Sequence, residues 1–321
     1  MELRVTTFNV ENMFNRYAFL DLPWEKRNYE NYVHATDIVS VIDREGRIAA
    51  YGTTKIQRDN TGLAILEAKP DILAVQEIED LNTLRIFNDV YLKNYFDRLI
   101  SIDGNDPRGI DVGFLVRRGL KAEILNIRTH IDEGKDGKPV KHSSRANGYW
   151  NSNTIFSRDC LEVDVAAGET KKNKKVLTFL VNHLKAQDRD VESSSARRKL
   201  QADHVAELAQ LAADQGKLPI VLGDLNVAPK TDNSLDALLQ SKILKDPFPA
   251  DTWTHFYSSK HEVSRLDYIF VHIGIEVEKT EIVRKGLSKE CKQYKGPWFP
   301  TIDKAGTEAS DHCPTTVIIN V

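Results

Sequence analysis

Cysteine is scarce in this chain: Cys160, Cys291 and Cys313 are scattered and odd in number among 321 residues. That pattern offers no disulfide framework and suits a reducing compartment. No stretch approaches the roughly 18 apolar residues of a membrane-spanning helix. The opening residues, MELRVTTFNVENMF, lack a basic n-region and a long apolar run, so no secretory signal is read and a cytoplasmic location is expected. Charge of either sign is not in excess, with a net value of −3. No long-range field therefore draws in nucleic acid, and any recognition of phosphate must be local. There is no internal repeat, low-complexity linker or break in composition. One large domain over residues 1–321, with ordinary hydrophobic (41%) and charged (28%) content, is the expectation.

What is present is a set of short apolar runs. The stretch Leu218–Pro229, LPIVLGDLNVAP, opens as an apolar run, Ile220, Val221 and Leu222, suited to a strand buried on both faces, and it stops at Gly223 with Asp224 and Asn226 following. Pro229 then keeps the chain from continuing in the sheet. Similar strands are expected at Leu3–Val10, Asp71–Gln76, Ile110–Arg117, Thr154–Val165, Val176–Val181, Leu266–Val271, Glu276–Val283 and Thr315–Val321. Leu120–Ile127 reads as the hairpin partner of 110–117. Helices are expected over Lys55–Ala68, ended by Lys69-Pro70, over Leu81–Tyr91, and briefly over Leu235–Leu239. A longer one over Ser194–Ala213 presents Leu200, Val205, Leu208 and Leu211 on one side and is capped by Gln215-Gly216. Residues 15–50 read as a long loop with some helix, and 129–152 as a polar surface loop. Strands outnumber helices and several look antiparallel, which favours a layered α/β sandwich over a doubly wound sheet.

Polar residues end or flank these apolar strands six times: Asn9, Glu77, His183, Asp224 with Asn226, Asp267, and Asp311 with His312. Strands that share a sheet edge would bring them together. Carboxylates and amides suit a hard divalent cation, and two imidazoles add proton transfer or charge stabilisation near neutral pH. The plainer readings are a helix-terminal acid for Glu77, an Asx-turn for Asp224 and Asn226, an ion pair with Arg265 for Asp267, and a simple turn for Asp311-His312.

TFNVENMF, DILAVQEIED, GIDVGFLV, VNHLKAQ, VLGDLNVAP, RLDYIFV and SDHCP, in this order over residues 6–314, resemble the endonuclease/exonuclease/phosphatase superfamily. That superfamily includes pancreatic-type deoxyribonucleases, abasic-site endonucleases, inositol polyphosphate 5-phosphatases and neutral sphingomyelinases. The pattern looks most like its bacterial nuclease-type branch. The resemblance implies a four-layer αββα sandwich with two packed mixed β-sheets, dependence on Mg²⁺ or Mn²⁺, and phosphoester hydrolysis at the sheet edge. It assigns metal binding to Asn9, Glu77 and Asp311. It gives Asp224 the attacking water, Asn226 the orientation of that aspartate or of the phosphate, His312 a place beside the scissile phosphate with Asp267 polarising it, and His183 a phosphate oxygen or the leaving group.

Substrate contacts are expected of Arg108, Asp111 and Lys185, with Arg158 a further candidate; each basic residue could equally pair with a neighbour. Arg197, Arg198 and Lys199 at the start of the long helix read as a solvated face or as phosphate contacts. Trp150 and Trp298 could stack on a base or simply pack in their loops. The expected activity is a metal-dependent nuclease with nucleic acid as substrate. The alternatives are a phosphatase or phosphodiesterase for small or lipid head-group phosphoesters, and a catalytically silent binding module.

Overall fold

The computed structural model describes residues 1–14, 16–19, 32–34, 48–51, 53–106, 108–140, 153–168 and 174–321. Along the chain run β1 (Glu2–Met13), β2 (Arg16–Phe19), β3 (Tyr32–His34), β4 (Ile48–Tyr51), α1 (Lys55–Ala68), β5 (Ile72–Ile78), α2 (Leu81–Val90), β6 (Phe96–Ser101), β7 (Asp111–Arg117) and β8 (Ala122–Arg128). They are followed by β9 (Cys160–Ala167), β10 (Lys175–His183), α3 (Val191–Asp214), β11 (Leu218–Asp224), α4 (Asp236–Leu239), β12 (Leu244–Lys245), β13 (His255–Tyr257), β14 (Glu262–Ser264), β15 (Asp267–His272), β16 (Glu276–Ile282) and β17 (Thr315–Asn320).

Two six-stranded mixed sheets form, in the orders β16-β17-β1-β5-β7-β6 and β12-β15-β11-β10-β9-β8. Each strand sends alternate residues to opposite faces. Leu3, Val5, Ile72, Ala74, Val112 and Phe114 of the first sheet meet Leu177, Phe179, Val181, Ile220, Leu222 and Ile269 of the second in one shared core. The outer face of the first sheet, through Phe8, Leu73 and Val75, packs under Ala64 and Ile65 of α1 and Leu84 and Phe87 of α2. The outer face of the second, through Leu180, Val221 and Phe270, packs under Ala202, Val205 and Ala209 of α3. These three apolar layers make the expected four-layer αββα sandwich. No helix among the described residues is long and apolar enough to cross a membrane.

Local chemistry sets the helix ends. Thr54 and Gln57 form a capping box at the start of α1, and Lys69 closes it in the left-handed region. Asp80 caps α2 and Asp190 caps α3 through their side chains.

Three expectations need correction. The segment after β7 is not its hairpin partner: β8 pairs with β9 in the other sheet, while β7 lies between β5 and β6. Gly119, at φ 74°, turns the chain there, so a tight turn joins two sheets instead of two neighbouring strands. In α3 the buried stripe is Ala202, Val205, Ala209 and Ala212, and Leu211 is 56% exposed. Val205 lies in that stripe and Leu200 and Leu208 pack beside it, so only Leu211 departs from the expected face, and the alanines let the helix sit close to the sheet. The 15–50 segment holds three short strands, paired β3-β2-β4, and any helix in it lies outside the described residues.

The loop after β8 is tied down by charge. His130 is buried, with Nδ1 2.7 Å from Glu133 and Nε2 3.1 Å from Glu162, and His204 of α3 also bonds Glu133. Burial works against the His130 imidazolium, but the bonds to Glu133 and Glu162 outweigh it and raise its pKa from 6.5 to about 9. Burial likewise works against the Glu133 carboxylate, and the two histidines reverse this, lowering it from 4.5 to about 2. The histidine contribution is complete below pH 6.5 and is lost as pH rises through about 9. The glutamate contribution is complete above pH 4.5 and is lost as pH falls through about 2. We therefore predict that the stability lost in Glu133→Gln is greatest between pH 4.5 and 6.5 and shrinks toward pH 9.5. Urea unfolding of both proteins across that range tests this; a pH-independent difference would contradict it.

Candidate active site

The inner faces of both sheets run from apolar to polar at one end of the sandwich. On β1 the inward series is Leu3, Val5, Thr7 and Asn9, and on β10 it is Leu177, Phe179, Val181 and His183. On β11 Ile220 and Leu222 lead to Asp224, and on β15 Asp267 precedes Ile269 and Val271. Register completes the convergence. His183 lies opposite Asp224 in the parallel pair, and Asp224 opposite Asp267 in the antiparallel one. The period of two that builds the core thus aims these side chains into the gap between the sheets.

Glu77 breaks that parity. By alternation it would join Leu73 and Val75 on the helix side of β5. Its φ is 66°, the β5–β7 register shifts between Gln76 and Ile78, and Ile78 instead joins the helix-side cluster. The bulge re-aims the glutamate toward the site, where Oε1 is 3.8 Å from His183 Nε2 and Oε2 accepts the Asn12 amide at 3.0 Å. Gly223 answers a different demand. Its φ is 140°, and a Cβ there would lie 1.9 Å from the Asn182 carbonyl oxygen. Only glycine lets β11 pass β10 at this point and still present Asp224.

Asp224 Oδ2 is the hub. Asn9 Nδ2 donates to it at 3.0 Å, while His183 Nε2 stands 3.5 Å and His312 Nε2 3.7 Å away. Its Oδ1 accepts the Asn226 amide at 2.9 Å, and Asn226 Nδ2 donates to the Leu184 carbonyl. The Asx-turn reading of this pair therefore holds alongside the site. Behind His312, Asp267 Oδ2 lies 2.8 Å from Nδ1 and accepts the Thr254 hydroxyl at 2.6 Å. Asp267 is thus committed to His312, while Arg265 pairs with Asp246.

The electrostatics separate the two histidines. Burial, reinforced by Arg158 and Arg108, holds His183 well below its ordinary pKa, so it is neutral. Burial also works against the His312 imidazolium, but Asp267, Asp224 and Asp311 prevail and hold it well above. Burial pushes the Asp224 carboxyl up to about 7 against the pull of His312.

The sequence matches the Endonuclease/Exonuclease/phosphatase family over residues 46–312. The chain belongs to the endonuclease/exonuclease/phosphatase family. The members of this family are phosphoester hydrolases. No curated protein matches the sequence. Among solved structures, a family protein from Bacteroides vulgatus superposes with a TM-score of 0.59 at 15% identity, covering 100% of this chain and 99% of that one. The human nocturnin catalytic domain, solved with a bound sulfate, gives 0.61 at 14% identity over 99% and 94%. A mannosyl-6-phosphatase from Bacteroides thetaiotaomicron gives 0.57 at 16% over 99% and 100%. At these identities the likeness is one of fold.

Family enzymes generally use divalent metals. The residues here fit a hard divalent cation by their chemistry. Burial raises the Glu11 carboxyl to about 8, and Asp311, Glu308 and Glu77 add their repulsion, so four carboxyls converge beside the hub. Glu77 and Asp311 offer carboxylates and Asn9 an amide oxygen, which also accepts the Glu11 amide. Two residues at this edge were not singled out from sequence. Glu11 Oε2 accepts the Asp311 amide at 3.1 Å, and His255 Nε2 lies 3.4 Å from Asp311 Oδ2. The proximity of Glu11 to Asn9 was the available signal for the first; for the second there was none.

The expected substrate contacts are placed less uniformly. Arg108 pairs with Asp106 at 3.1 Å and Lys185 with Asp188 at 2.8 Å. Asp111 is buried, and its Oδ1 accepts the Gly104 amide at 2.6 Å. Arg158 is buried against Asp106 and the Leu184 carbonyl. Arg198, expected on a solvated face, is 1% exposed and anchors Asp232 and the Lys185 carbonyl. Trp298 packs edge-on against Tyr294, and Trp150 lies outside the described residues.

Gly223→Ala should destabilise the protein by about 2–4 kcal/mol, from backbone strain plus the clash with Asn182. The midpoint of urea unfolding reads this directly, and an unchanged midpoint would refute the need for glycine.

Proposed function

We propose that the protein is a divalent-metal-dependent phosphodiesterase that hydrolyses phosphodiester bonds in nucleic acid. The observation that carries this reading is the Asp224 carboxylate held by Asn9 between His183 and His312. In this mechanism the ionised Asp224 takes a proton from a water aligned with the phosphorus–oxygen bond to be broken. Attack forms the new phosphorus–oxygen bond and expels the leaving alkoxide on the opposite side. The His312 imidazolium, kept charged and oriented by Asp267, faces the phosphoryl oxygens as negative charge builds on them. Neutral His183 donates a hydrogen bond from Nε2 without adding charge. Asn9 and Asn226 fix the Asp224 carboxylate from two sides. Glu77, Asp311 and Asn9 would hold a Mg²⁺ or Mn²⁺ ion, which would supply neutralisation of the anionic phosphate.

A second reading is a phosphatase or phosphodiesterase for small phosphoesters. The pairing of Arg108 with Asp106 and of Lys185 with Asp188, together with the net charge of −3, favours it. The fold shared with a mannosyl-6-phosphatase supports it as well.

A panel of DNA, RNA and small phosphomonoesters, assayed with Mg²⁺, Mn²⁺ or chelator, separates the two. The proposal expects polynucleotide cleavage that stops with chelator and weakens steeply with salt. Rapid turnover of a phosphomonoester with neither polynucleotide cleaved would overturn it. Asp224→Ala and His312→Ala should each lower kcat by roughly 10²–10⁴ with the fold retained by circular dichroism. Survival of turnover in both would remove the assignment.

A further inference from the structure

Beside the hub stands a second cluster whose donors are chemically different. His255, Asp311 and His312 each offer one ligand atom, and the three atoms lie within 4.8 Å of one another. His255 Nε2 is 3.4 Å from Asp311 Oδ2, and His312 Nε2 is 3.9 Å from Asp311 Oδ1. The two rings come from elements that meet in an isolated antiparallel bridge, His255 opposite His312, and their centroids are 4.7 Å apart. The Phe256 amide donates to the Asp311 carbonyl and the Cys313 amide to the Thr254 carbonyl, so the backbone fixes this spacing.

Both imidazoles are oriented from behind. His312 Nδ1 is 2.8 Å from Asp267 and His255 Nδ1 is 3.2 Å from the Ser264 hydroxyl. With the Nδ1 protons held by these partners, both Nε2 atoms face the Asp311 side, and an ion binding there takes the place of the Nε2 proton of the His312 imidazolium. A partner on the far ring nitrogen is how proteins set the tautomer and direction of a metal-binding histidine. Asp311 keeps 42% of its side chain exposed, which leaves a path for an ion.

We propose that His255, Asp311 and His312 form a binding site for a divalent transition-metal ion of the zinc class, distinct in preference from the oxygen-rich position at Glu77. Two imidazole nitrogens and one carboxylate suit zinc or a similar ion and leave a fourth position for water, whereas magnesium favours oxygen donors. Bonds of about 2.0–2.1 Å in a tetrahedron place neighbouring donors about 3.3–3.4 Å apart. The edge from His255 Nε2 to Asp311 Oδ2 already has that length; His312 Nε2 lies 3.9 Å from the other oxygen, Oδ1, and with one ligand atom from each residue within 4.8 Å of the others, side-chain rotation brings the three onto one ion. An ion there occupies His312 Nε2, the atom that faces the phosphate in the proposed mechanism, so zinc inhibits hydrolysis; this consequence rests on that proposed role, while the binding does not.

The binding test is competition of Zn²⁺ between the full-length protein and a chromophoric chelator in excess Mg²⁺, with Co²⁺ absorption as a second signal. Wild type should hold one Zn²⁺ with a tetrahedral Co²⁺ spectrum. His255→Gln should bind at least 100-fold more weakly, and Ser264→Ala about 10-fold more weakly, the usual range for loss of an orienting partner. Thermal melts of both variants check folding, and Ser264→Ala keeps all three ligands should His255→Gln unfold. No zinc retained by wild type, or equal affinity in His255→Gln, would overturn the site. Inhibition is read as the zinc-induced loss of rate relative to each protein's own zinc-free rate. It should be at least 10-fold less sensitive in His255→Gln. Binding that follows these expectations without inhibition would retain the site and remove the role given to His312.

Discussion

A single buried carboxylate sets the terms for the end of the sandwich where the two sheets meet. Asp224 lies at the end of a strand whose other inward residues are wholly apolar, and little solvent reaches it. Such a charge cannot stand alone in that setting. The surrounding residues answer it: the Asn9 amide, two imidazole edges and the Asn226 amide group all face it. Asp267, equally buried, balances His312 from behind and is itself held by Thr254. Together these contacts join β1 of one sheet to β10, β11 and β15 of the other. The same contacts that satisfy the buried charge therefore lock the sheets in register at their polar end.

The two histidines show how one environment yields two chemistries. Both are buried beside Asp224, yet His183 also faces Arg158 and Arg108, whereas His312 faces Asp267 and Asp311. The neighbours differ in sign, so one ring is neutral and the other charged. Pairs of titratable groups driven apart in this way are a sign of divided acid and base roles. A neutral donor and a cation at fixed positions around one carboxylate form an asymmetric cradle for an anionic centre.

Much of this was legible in the sequence because strand alternation is rigid. The apolar run Val176–Val181 leads straight to His183 and Ile220–Leu222 to Asp224, and in the fold alternation puts each on the inward face with Leu177, Phe179 and Val181 or Ile220 and Leu222. What alternation could not show was any break in itself. The bulge at Glu77 reverses the face, and a non-glycine residue at positive φ has no reliable signature in a single sequence. Long-range pairings were equally hidden. The crossing of β8 to the other sheet, the ion pair of Arg198 with Asp232 and the placing of His255 against Asp311 all join segments far apart in the chain. Leu211 was misplaced because side-chain hydrophobicity was weighed above the closeness that alanines permit.

The edge around Asp311 completes the physical picture. The hub is enclosed and its charges are matched, while Asp311 is half open and shared between His255, His312 and the Glu11 carboxylate. Burial, joined by repulsion from Asp311, Glu308 and Glu77, raises the Glu11 carboxyl to about 8. Several carboxyls gathered at an accessible edge, beside a hub whose charges are matched, form the arrangement expected where a mobile cation and an anionic substrate must both arrive and leave.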